Sequence, residues 1–78
     1  MRKPTKVIVR WEDSCTRNGW ISRKEIKEYK CVHCESVGYL IHKGRDRVIL
    51  AGMSGEFNEY NSLQYLPRGC VKEIKKIE

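Results

Sequence analysis

The sequence predicts a mainly β protein: five antiparallel strands in one small domain over residues 1–78, with one short helix between the first two strands. Three observations carry this. Residues 36–53 hold two apolar runs, Ser-Val-Gly-Tyr-Leu-Ile-His and Arg-Val-Ile-Leu-Ala-Gly-Met, joined by Lys-Gly-Arg-Asp, which is the pattern of a β-hairpin. Pro67-Arg68-Gly69 breaks the chain sharply before a last β-branched segment. Strand signals outnumber helical ones along the chain, and a capped helix is expected in only one stretch, residues 22–30.

Residues 6–11 form the first expected strand, with Val7, Val9 and Trp11 on one face and Ile8 and Arg10 on the other. Asp13, Ser14, Asn18 and Gly19 then mark a loop bracketed by Trp11 and Trp20. Ser22 with Glu25 fits a capping box, so a helix of two turns is expected, ending near Cys31 and held by docking of Ile26 and Tyr29. The hairpin runs lack polar alternation, which predicts central strands covered on both faces. Residues 60–66, with Leu63 and Tyr65 on one face, give the fourth strand. In residues 70–77, Val71, Ile74 and Ile77 recur at threes as in a helix, but the high β-branched content favours a closing strand.

Composition bounds the function. Apolar residues make up 40% and charged residues 33% of the 78, the balance of a folded globular chain. No run approaches ~18 apolar residues, so no transmembrane helix is expected. The basic N-terminus precedes only Val7-Ile8-Val9, too little for a secretory signal, and the expected location is cytoplasmic. Sixteen Lys and Arg against ten Asp and Glu give a net charge of +6. Because acids are interleaved, as in Lys24-Glu25, Lys27-Glu28 and Lys72-Glu73, this predicts weak, salt-sensitive nucleic-acid binding at most.

A tight Pro-Gly break before the last of five strands resembles the small SH3-like and Sm-like barrels, in which one short turn separates the last two strands. The motifs Val-Ile-Val-Arg-Trp-Glu-Asp-Ser, Ser-Val-Gly-Tyr-Leu-Ile, Val-Ile-Leu-Ala and Leu-Pro-Arg-Gly-Cys-Val resemble small uncharacterised proteins encoded by phages and prophages. That resemblance implies a compact phage-type accessory protein in the host cytoplasm, with no activity attached.

Cys31-Val32-His33-Cys34 is a single CxxC, whereas Cys15 and Cys70 stand alone. A closed zinc site requires a second pair of ligands at suitable spacing. Packing of the cysteines is therefore the favoured reading, and no cofactor is expected. Cys31 and Cys34 are the first ligands if a metal binds. Asp13, Ser14 and the histidines lack a positioned base and an oxyanion hole, so no enzyme is expected.

The leading expectation is a non-enzymatic binding module, monomeric or a small homo-oligomer, that captures a host protein or a small signalling ligand. Its contact residues would be Asp13, Ser14, Arg17, Asn18 and Trp20, which set polar groups beside an indole. The alternative is a nucleic-acid-binding small barrel using Lys43, Arg45 and Arg47 at the hairpin tip. A zinc-stabilised interaction module is the second alternative.

Overall fold

A computed structural model describes residues 4–13, 18–28 and 30–77. It holds β1 (Lys6–Glu12), α1 (Arg23–Glu28), β2 (His33–Lys43), β3 (Arg47–Ser54), β4 (Tyr60–Pro67), a 3-10 turn (Arg68–Cys70) and β5 (Val71–Lys76). All strand pairings are antiparallel, in the order β4-β3-β2-β1-β5. The hairpin β2–β3 therefore sits inside the sheet, as its apolar runs predict, while β4 and β5 are the two edges.

One face of the sheet makes the core. Val7 and Val9 from β1, Val48 and Leu50 from β3 and Leu66 from β4 are buried, with Trp11, Leu40, Val71 and Ile74 packed against them. The alternation seen in residues 6–11 thus sets which face of β1 points inward. Trp11 also donates its indole Nε1–H to Ser36 Oγ at 2.9 Å, which satisfies the ring's one polar atom.

The hairpin is not covered on both faces, contrary to what its lack of alternation predicts. Val37, Ile41 and Met53 are exposed, and so are Leu63 and Tyr65 beside them on β4. A chain this small has too few elements to place a layer over the second face.

The helix also departs from expectation. Ser22 Oγ accepts the Glu25 backbone N–H at 3.2 Å, so the cap forms where the sequence places it. No residue of α1 is buried, however, and Ile26 is largely exposed rather than docked in the core. Tyr29, its expected docking partner, lies outside the described residues. No helix among the described residues is long and apolar enough to cross a membrane.

Candidate binding surface

Antiparallel ladders put directly opposed residues on the same face. The register therefore sets Lys6, Tyr39, the fully buried Ala51 and Leu63 in one row of the outer face, with His42, Ile49 and Tyr65 in the next. Two cations lean on this face: Lys6 Nζ lies 5.8 Å from the Tyr39 ring centre and Arg47 Cζ lies 5.7 Å from that of Tyr65.

The β2–β3 hairpin tip adjoins Tyr65. Gly44 N–H donates to the Arg47 carbonyl at 2.9 Å and closes the turn, leaving Lys43, Arg45 and Arg47 exposed around Asp46. The Arg68 backbone N–H donates to the Asp46 carbonyl at 2.7 Å, so the turn after β4 is pinned to the hairpin tip. Four basic residues, Lys43, Arg45, Arg47 and Arg68, thus lie about the hairpin tip with Asp46 among them. Sequence reasoning found Lys43, Arg45 and Arg47 but missed Arg68, because only the β3–β4 register, Arg47 opposite Pro67, brings it there.

The acids that dilute the charge along the chain lie mostly elsewhere. Arg10 bridges Glu35 at 3.2 Å and Glu73 at 3.3 Å across three strands, and Lys72 meets Glu12 at 3.4 Å. Glu56 and Glu59 sit in the turn before β4, at the end of that strand away from the hairpin tip.

The loop of residues 13–20 contributes less geometry. Ser14, Cys15 and Arg17 lie outside the described residues. Asp13 and Asn18 are exposed, Asp13 N–H donates to the Val32 carbonyl at 2.9 Å, and Trp20 is fully exposed. Trp11 packs on the core, so the two indoles have separate environments.

An open groove of about 400 Å³ is lined by Arg10, Trp11, His33, Cys34, Glu35 and Lys72. Its charged groups engage one another or neighbouring acids in the ion pairs above. Cys34 Sγ lies 3.9 Å from the Val32 carbonyl, a weak S–H contact, and Cys31 and Cys70 are half-buried. Among the described residues, no three His, Cys, Asp or Glu side chains are grouped as a metal site requires. Compared with protein-family models, curated proteins and solved structures, the chain matches none.

Proposed function

We propose that this protein is a non-enzymatic binding module of the SH3-like or Sm-like type, and that its ligand is a nucleic acid held at the β2–β3 hairpin tip. The barrel assignment is supported by the place of β1 between β2 and β5 and by the single short turn between β4 and β5. One observation carries the ligand: Lys43, Arg45, Arg47 and Arg68 gather around Asp46, beside the exposed Tyr65 ring. Clustered cations neutralise phosphates and release counterions, while an exposed aromatic face stacks on any base.

The test is fluorescence anisotropy with a labelled single-stranded oligonucleotide. Wild-type protein is expected to bind at low salt, and the Lys43→Ala/Arg45→Ala/Arg47→Ala variant to bind at least tenfold more weakly with its fold intact. Absence of wild-type binding at low salt, or equal binding by the variant, overturns the reading.

A second reading, capture of a host protein or small ligand by a phage-type accessory protein, is favoured by the full exposure of Trp20. Tryptophan offers a large rigid contact area with a polar handle, which is why it is enriched at interfaces. Affinity capture with wild-type protein beside Trp20→Ala tests it: a partner held equally by both removes Trp20 from the site.

A further inference from the structure

We propose that a second copy of this chain pairs along the β4 edge, the two strands running antiparallel about a two-fold axis and joining the sheets into one. The two edges of the sheet differ in a way that selects this one. β5 carries Lys72, Glu73, Lys75 and Lys76 among its six residues, the charged pattern that keeps an edge from pairing. β4 reads Tyr-Asn-Ser-Leu-Gln-Tyr-Leu-Pro, eight residues with no charge, in a chain that is 33% charged. Its outward backbone groups have no charged side chains to screen them, Leu63 and Tyr65 stand exposed on the strand itself, and the backbone departs from the extended form at Ser62, whose φ is 59°.

The partner follows from the charges at the two ends of β4. Glu56 and Glu59 precede the strand, and Arg68 follows it, with Arg45 and Arg47 alongside. An antiparallel copy sets each acidic end against a basic end, whereas a parallel copy sets like against like. If the axis passes through Leu63, Glu59 falls opposite the second copy's Pro67, one residue from its Arg68. An open groove of about 340 Å³ lies at that acidic end, lined by Met53, Ser54, Gly55, Glu59, Tyr60 and Asn61, and it offers the second copy's Arg68 a carboxylate and a ring. On the outer face Leu63 then meets its own symmetry mate, the self-complementarity that a two-fold interface demands.

Edge pairing engages Arg68 of the four cations at the hairpin tip and leaves Lys43, Arg45 and Arg47 open, so the dimer does not depend on the proposed ligand.

Sedimentation velocity of the full chain across the micromolar range tests the pairing. Wild-type protein is expected to shift from monomer to dimer with concentration. Leu63→Lys places two ammonium groups at the axis and is expected to leave only monomer, with the circular dichroism unchanged because Leu63 is half-exposed. Glu59→Arg and Arg68→Glu are each expected to raise the dimer dissociation constant roughly tenfold, and the double reversal to restore it. A chain that stays monomeric throughout, a dimer that survives Leu63→Lys, or a double reversal no tighter than the single ones overturns the proposal.

Discussion

Gly38 has less room for a side chain than its place in an apolar run suggests. A Cβ built there would lie 2.7 Å from the Ala51 carbonyl oxygen, a backbone atom on the neighbouring strand that cannot swing aside. Gly38→Ala is therefore expected to lower stability by roughly 1–3 kcal/mol, the cost of forcing backbone shifts in a packed region, read as a lower urea midpoint. Gly69→Ala is the contrast: nothing lies within 4 Å of its Cβ position, and a change within about 0.5 kcal/mol is expected. Leu50→Ala should cost about 2–5 kcal/mol, because Leu50 is buried in the core cluster with Val48 and Leu66. Leu50 was legible as a core residue, since it sits in the middle of an apolar β-branched run. The tight approach at Gly38 was not, because it depends on how β3 passes β2, and no local pattern encodes that.

At the scale of elements, what the sequence disclosed were local features, and what it withheld were contacts between distant segments. The cap of α1 is local, since Ser22 and Glu25 are close in the chain, and it forms as expected. Docking of α1 needs a receiving surface elsewhere, and no residue of Arg23–Glu28 is buried against one. A helix of six residues without tertiary packing is far below the roughly 12–15 that an isolated helix needs. Amides of α1 are accordingly expected to exchange with deuterium almost as fast as in unfolded peptide, while those of β1 and β3 stay protected. Slow exchange across Arg23–Glu28 would show that α1 packs after all. The last strand shows the converse. Val71 and Ile74 recur at three, as on a helix face, yet they belong to a strand. Val71 pairs with Trp11 and Ile74 with Val9, and a register shift between Arg10 and Trp11 admits one extra residue, so both face the core. A bulge turned strand periodicity into a helix-like spacing, and the β-branched composition was the better guide.

Across the whole molecule, the charge that is spread along the sequence is sorted in space. Three of the acids, Glu12, Glu35 and Glu73, are held in exposed ion pairs with Arg10 and Lys72, and two, Glu56 and Glu59, sit in the turn that opens β4. The interleaving that argued against a binding face is thus undone by the ladder, which pairs acids with bases from other strands and leaves the hairpin tip basic. This sorting makes two accounts of nucleic-acid affinity distinguishable. If net charge alone drives binding, any two cations are equivalent. If the hairpin tip is the site, Lys24 and Lys27 on the undocked helix contribute little, because exposed charges farther apart than about 10 Å are screened at 0.1 M salt. Four phosphate contacts to a single strand predict a slope of about −3 for log affinity against log salt. Lys24→Ala/Lys27→Ala is expected to keep that slope, whereas Arg45→Ala/Arg47→Ala should flatten it to about half. Both variants lower the net charge by two, so anisotropy titrations at several salt concentrations compare position with charge held equal. Equal flattening by the two would mean that the +6 charge acts as a diffuse cloud and that the hairpin tip is not a site.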